Sequence, residues 1–242
     1  VKGILFVLAL DWVVSQGWFM AQTYFVTGSN RGLGLEFVRQ LSARGDVVIG
    51  TAREVGRADA EHGAAIVPLE LTDPKSIEAI GSHVGDRGID VLINNAGVSS
   101  QTRTLADITM EEMQRVFAVN SIAPMLVTRA LLPNLRKGKR RVVLTISSQL
   151  GSIANNTGGS TYAYRASKTA VNQLTVSMHH ELKGEGFTCV VAHPGWVQTD
   201  MGGPDAPLTP PESVAHLIKL IDKLTEADGG KFFNYDGSIL PW

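Results

Sequence analysis

A chain of 242 residues that is 44% hydrophobic is long enough to bury one sizeable core, and one large α/β domain fits it better than two small ones. Its 22 lysines and arginines against 23 aspartates and glutamates leave a net charge of −1. That excludes the electrostatic footprint of a nucleic-acid partner or an acidic surface. The single cysteine, Cys189 in the apolar run "TCVVAH", has no internal partner and reads as a buried thiol in a reducing, cytoplasmic setting.

Residues 1–19, "VKGILFVLALDWVVSQGWF", are apolar around Lys2, Asp11, Ser15 and Gln16. A spanning helix needs roughly 20 mostly apolar residues, and the uninterrupted run here is only "GILFVLAL", with no small-x-small cleavage site cleanly after it. The segment is read as a dispensable leader or extension, with a membrane or targeting role as the alternative. "MAQTYFVTG" is an ordinary start, so the domain is placed at 20–242.

From Thr23 onward strand and helix signals alternate. "TYFV" is a first strand, and "GLEFVRQLSARG" an amphipathic helix with Leu35, Val38 and Leu41 on one face and Gly45 at its end. "DVVIGTA" and "AAIVPLEL" are the next two strands. "TDPKSIEAIGSHV" opens a helix with Asp73 as N-cap and Pro74 at its first position. "IDVLINNAG" is a fourth strand. "TMEEMQRVFAVNSIAPMLVTRALLPNLRKG" is a helical stretch expected to be two helices meeting near Asn120. "RRVVLTISS" is a fifth strand, "AYRASKTAVNQLTVSMHHELKG" a long helix, "FTCVVAHPG" a sixth strand, "PPESVAHLIKLIDKLT" a helix and "GKFFNYDG" a last strand. Near-continuous apolar strands separated by helices imply a parallel sheet covered on both faces. The expected fold is α/β: a single doubly wound (Rossmann) domain, with a seven-stranded, mainly parallel sheet and helices on both faces.

"TGSNRGLG", Thr27 to Gly34, follows the first strand and opens a helix. Glycines at 28, 32 and 34 permit a sharp turn, a close approach of backbone N–H groups to a pyrophosphate, and tight packing of helix on strand. The spacing G-x-x-x-G-x-G is one residue wider than the standard dinucleotide fingerprint. The second strand ends "GTAREVGR", with Arg53 where an acid would bind the ribose of NAD, and Arg31 lies inside the loop. Two guanidiniums suit a 2′-phosphate, so the expected cofactor is NADP(H).

Six stretches in this order, "TGSNRGLG", "NNAG" at 94–97, "VNS" around Asn120, "ISS" at 146–148, Tyr164 with Lys168, and "HPGWVQTD" at 193–200, resemble the short-chain dehydrogenases/reductases over essentially Thr23 to Trp242. The closing "HPGWVQTDMGG" and "NYDGSILPW" look most like NADPH-dependent carbonyl reductases of the sniffer and C-factor type. In that family the pattern is Y-x-x-x-K, which Tyr164 fits and Tyr162 does not. On a helix, i and i+4 share a face. A phenol of pKa about 10 beside an ammonium is expected to have a lowered pKa, so Tyr164 would give a proton to a carbonyl oxygen.

The resemblance implies further roles. Lys168 would bind the nicotinamide ribose, and Ser148 would hydrogen-bond the substrate carbonyl. The family places this serine about thirteen positions before the tyrosine. Here the gap from Ser148 is sixteen, so "QLGSIANNTGGSTYA" carries a small insertion, and Ser152 stays a candidate beside the preferred Ser148. Ser147 is expected to face away. Asn120 would hold a water linking Lys168 to solvent. Gly28, Asn30, Arg31, Gly32, Leu33 and Gly34, with Arg53, would cradle the cofactor. Asn94, Asn95, Ala96 and Gly97 would wall the adenine ribose, with Glu70 a lesser contact. Pro194, Gly195, Val197 and Thr199 would meet the nicotinamide. Tyr162, Trp196 and Met201 would line an open, apolar pocket for a small carbonyl substrate.

No metal constellation is present: His179 and His180 are adjacent and diverge on a helix, and no CxxC or HExxH occurs. The function implied is NADPH-dependent reduction of aldehyde and ketone carbonyls. The alternatives are an NADP(H)-binding signalling or scaffold protein without turnover, and a membrane-attached steroid or retinoid dehydrogenase resting wholly on residues 1–19; no membrane partner is otherwise expected. By family likeness, pairing through the long helices would give a homodimer or homotetramer.

Overall fold

In the computed structural model, residues 21–54 and 63–242 are described; the extension expected at 1–19 lies outside them. The apolar runs form strands β1 (Thr23–Val26), β2 (Val47–Ala52), β3 (Ala65–Pro68), β4 (Val91–Asn94), β5 (Val142–Ile146), β6 (Thr188–His193) and β7 (Phe232–Asn234). They make one 7-stranded sheet in the order β3-β2-β1-β4-β5-β6-β7, with every pairing parallel. The helices between them are α1 (Gly32–Ala43), α2 (Pro74–Val84), α3 (Met110–Phe117), α4 (Ala123–Lys137), α5 (Tyr162–Leu182) and α6 (Pro210–Lys223).

Alternation along each strand divides the core in two. Tyr24 and Val26 of β1 pack with Phe37, Val38 and Leu41 of α1 and with Val214, Leu217 and Ile221 of α6. Phe25, on the opposite face, packs with Ile77 and Ile80 of α2, Val127, Leu131 and Leu135 of α4, and Leu182 of α5. Both faces of β1 are therefore dry, which is why a strand this short reads as an unbroken apolar run.

One strand differs from expectation. β3 closes at Pro68 rather than continuing through "LEL"; a proline is tolerated in this edge strand but offers no N–H to extend it. The two helices expected from Thr109 do meet near Asn120: α3 passes through a π-helical turn, Ala118–Ile122, directly into α4. In an α-helix the partner of the Asn120 carbonyl is the N–H of residue 124, and Pro124 has none, so the wider turn falls there. Met110–Lys137 is long and apolar enough by composition to cross a membrane, yet its apolar side belongs to the core beneath β1 and β4.

Strand order reverses between β1 and β4, so the loops after these two strands part in opposite directions. That leaves a crevice at the carboxyl edge of the sheet, where ligands bind in open α/β folds.

Candidate active site

A cleft of about 340 Å³ opens there, walled by the loops after β1, β2, β4, β5 and β6. α1 starts at Gly32 with no side-chain hydrogen bond capping its first turn, leaving its N–H groups to an anion. Gly34 has no room for a side chain: a Cβ would collide with Gly28 O and lie 2.7 Å from Asn95 Nδ2. At Gly28, φ +65°, a Cβ would meet that of Ala96 at 3.0 Å.

The loop is tied from behind. Thr27 Oγ1 accepts from the N–H groups of Asn95 and Ala96, both at 3.0 Å, and Thr51 Oγ1 accepts from that of Gly28 at 3.0 Å. Asn95 Nδ2 donates to Thr27 O at 2.9 Å and to Gly28 O at 3.2 Å. Asn95 thus clamps the loop in shape. Thr27 and Thr51 do the same work, and the sequence reading gave them no role, although Thr27 opens the motif. Asn94 points the other way: its Nδ2 donates to Thr128 Oγ1 on α4 at 3.1 Å, buried in the core.

Asn30, Arg31, Gly32, Leu33 and Arg53 line one end of the cleft. Both arginines meet carboxylates. Arg31 is ion-paired with Asp200 across the cleft mouth, and both side chains are exposed; the sequence reading assigned nothing to Asp200. Exposed Arg53 acts on Glu70, whose pKa lies below the usual carboxylate value. The larger cause of that is the hydrogen bond from the Thr72 N–H; Arg53 contributes less. Glu70 Oε1 accepts from Thr72 N and Oγ1 at 2.9 and 2.8 Å.

At the other end, α5 carries Tyr164 and Lys168 on one face. Lys168 is buried, its Nζ donates to Ile146 O at 2.9 Å, and it lies 5.8 Å from the Tyr164 ring centroid. Burial pulls the Lys168 pKa down to about 8. Burial likewise raises the Tyr164 phenol above its ordinary 10, opposed by a hydrogen bond with Ser148. The lowering expected from Lys168 is not what this geometry produces, because the ammonium sits beside the ring and spends a hydrogen bond on Ile146. Tyr164 Oη is 3.9 Å from Met201 Sδ.

The two candidate serines diverge. Ser148 lies beside Tyr164 and its Oγ accepts from the Leu150 N–H at 3.1 Å. Ser152 Oγ donates to Trp242 O at 3.3 Å and accepts from Asn155 N–H at 3.1 Å. Ser147, expected to face away, is among the residues lining the cleft, and its Oγ donates to Asn172 Oδ1 on α5 at 2.6 Å.

Asn120 is buried behind the cleft. Its Oδ1 accepts from Val98 N–H at 2.8 Å, and its Nδ2 donates to Val98 O at 2.9 Å and Ser167 Oγ at 3.1 Å. The side chain is therefore committed to fixing the loop after β4. A Cβ on Gly97 would lie 3.3 Å from Asn120 Oδ1 and 3.6 Å from Lys168 Nζ, so these three meet at the floor.

After β6, Pro194 and Thr199 reach the cleft, with Thr199 Cγ2 3.5 Å from where a Gly32 Cβ would stand. Gly195 and Val197 turn away from it. A Cβ on Gly195, φ +84°, would collide with Leu208 and approach Tyr235, and Val197 is buried, bridged to Leu208. Of the three residues expected to line the substrate pocket, Met201 lines the cleft; Trp196 and Tyr162 are exposed but are not among its lining residues, and Trp196 Nε1 donates to Gly202 O at 2.7 Å.

Known proteins resemble this chain in sequence and in fold. The C-signal protein of Myxococcus xanthus is 48% identical over 166 residues, 69% of this chain and 100% of its own length. The crystal structure of NADPH-bound carbonyl reductase from chicken fatty liver is 36% identical, with a TM-score of 0.85 over 93% of this chain and 100% of that one. The carbonyl reductase Sniffer of D. melanogaster is 33% identical, with a TM-score of 0.86 over 92% of this chain and 100% of that one. The family model for short chain dehydrogenase matches residues 22–207, and the chain belongs to that family.

Proposed function

We propose that this protein reduces apolar aldehydes and ketones to alcohols with NADPH, using Tyr164 as proton donor. The observation that carries this is the cleft itself: an uncapped glycine cradle at one end and, at the other, half-buried Tyr164 with buried Lys168, Ser148 lying buried beside the tyrosine. The cradle fits a dinucleotide: its loop is packed so closely on itself that a Cβ at Gly28 would meet Ala96 and one at Gly34 would strike Gly28 O, and the α1 N-terminus it leads into is uncapped. Gly28, Gly32 and Gly34 with the α1 N-terminus would hold the pyrophosphate, Arg31 and Arg53 the 2′-phosphate, and Thr199 and Lys168 the nicotinamide end. The likeness to NADPH-bound carbonyl reductase supports NADP(H) as the cofactor. When bound, it supplies the hydride.

The residues of the chain do the rest. Ser148 donates a hydrogen bond to the carbonyl oxygen and holds it next to Tyr164. Tyr164, with its pKa raised by burial, is fully protonated at neutral pH and gives its proton to that oxygen as negative charge builds. Lys168 fixes the cofactor ribose from below, and Asn120 holds the Val98 loop against it. The Met201 thioether, which lines the cleft 3.9 Å from the Tyr164 hydroxyl, offers no charged clamp there, which favours apolar or aromatic carbonyls.

NADPH oxidation followed by absorbance, against small quinones, diketones and steroids with NADH as control, tests the reading. Turnover is expected to prefer NADPH. Tyr164→Phe should cost at least about 100-fold in kcat while NADPH binding stays within a few-fold. Tight NADPH binding with no turnover across the panel would replace the reductase with a cofactor sensor.

A further inference from the structure

The loop between Ser148 and Tyr164 is longer than the family pattern, and the structure shows what the extra length touches. After Ser148 the chain makes a 3-10 turn, Gln149–Gly151, pressed onto α5. A Cβ on Gly151 would lie 2.8 Å from the carbonyl carbon of Lys168 and 2.9 Å from its Cβ. Gly151 O accepts from Thr169 Oγ1 at 2.9 Å and from Asn172 Nδ2 at 3.3 Å. Inward movement of the turn is thereby blocked by the helix that carries Tyr164 and Lys168.

The outer side of the same turn is held by the C-terminal segment. Residues 238–242 fold back along β7: Asn234 N–H donates to Ser238 O and Leu240 N–H to Phe232 O, both at 2.8 Å. Trp242 then stacks on the buried Phe232, centroids 5.5 Å apart and planes 21° apart. This sets the Trp242 carbonyl to accept from Ser152 Oγ at 3.3 Å and from Ala154 N–H at 2.9 Å. Further along, the loop enters α5 through Ser160 and Thr161, both at positive φ (65° and 45°). Such non-glycine conformations are strained and persist only where the surroundings enforce them; Thr161 N–H is tied to Arg103 O at 3.0 Å.

We propose that the segment Ser238–Trp242 is a strap that positions Ser148 against Tyr164, with Ser152 and Trp242 as positioning residues. The proposal rests on the reductase reading above. The strap's hydrogen bonds run to Phe232, Asn234, Ser152 and Ala154; through Ser152, whose N–H donates to Gln149 O at 3.1 Å, it acts on where the Ser148 hydroxyl stands. A misplacement of about 1 Å at a reacting centre can cost on the order of 100-fold in rate.

The test compares Trp242→Ala, Ser152→Ala and Ser152→Thr in the full chain, alone and combined with Ser148→Ala, reading kcat, KM and NADPH affinity. Ser152→Ala and Trp242→Ala are expected to lower kcat about 10-fold, with NADPH affinity within two-fold and partial rescue by Ser152→Thr. In the Ser148→Ala background the same changes should cost almost nothing further, because their effect runs through that hydroxyl. Unchanged kcat in both single variants overturns the strap while the reductase reading stands. Losses that remain in full beside Ser148→Ala, or that fall equally on NADPH affinity, overturn it in favour of general destabilisation. Full activity in Ser148→Ala overturns the strap together with the role of Ser148.

Discussion

The two ends of the cleft are built from opposite materials. At the tyrosine end the polar groups are buried and spoken for: Lys168 is 4% exposed and Asn120 1%, and each makes hydrogen bonds within the fold. At the phosphate end the cradle is backbone, and the charges stand in water, with the Arg31 and Asp200 side chains 69% and 78% exposed. Charges in water are screened and re-pair at little cost, whereas a buried group cannot move without leaving an unpaired partner. Substitutions at the buried end should therefore act on rate, and those at the exposed end on which cofactor is taken.

Lys168→Met is the strongest way to break this contrast. It should remove at least about 100-fold of kcat, and it should also stabilise the protein. Burial lowers the Lys168 pKa from 10.5 to about 8, so below pH 8 folding carries the cost of a desolvated ammonium, roughly 3 kcal/mol. Between pH 8 and 10.5 the unfolded chain binds more protons than the folded one. The contribution of Lys168 to stability then rises with pH, and the deficit of wild type against Lys168→Met should narrow across that window. Denaturant titrations at pH 7 and pH 10 measure it. A deficit of the same size at both would mean that Ile146 O and the floor already compensate the charge.

The same contrast governs what could be read from the sequence. The sheet was legible because each buried parallel strand is an apolar run, and Tyr164 with Lys168 because i and i+4 share a helix face. The glycine cradle was legible because only glycine fits at positions such as Gly34. What stayed hidden depends on partners distant in the chain: Ser152 on Trp242, 90 positions on, and Arg31 on Asp200, 169 positions on. The direction of the Tyr164 pKa was misread for the same reason. Its burial is set by tertiary packing, whereas the neighbouring lysine is visible in the local spacing. The π turn at Asn120 escaped because a sequence period does not separate one wide turn from a break between helices.

At the exposed end, Arg53→Asp should move the NADPH-to-NADH preference in kcat/KM by about 10-fold or more toward NADH, by exchanging an attractive charge for a repulsive one at the 2′-phosphate. The kcat with saturating NADH should hold. A fall in kcat with both cofactors would mean that this end is coupled to the reacting centre, and the division between the two ends would fail.

The smallest effect sharpens the comparison most. Asp200 now holds the Arg31 guanidinium that a 2′-phosphate would need, and an exposed pair of this kind contributes roughly 0–1 kcal/mol. Asp200→Asn should free Arg31 and tighten NADPH about 2- to 5-fold, with NADH changed less. The gain should shrink as salt is raised, because both interactions are screened. Fluorescence titrations of both cofactors at low and high salt read this without any substrate. Weaker NADPH binding would give Asp200 the reverse role: it would be holding Arg31 in place for the phosphate, and the water-exposed end of the cleft would be as pre-set as the buried one.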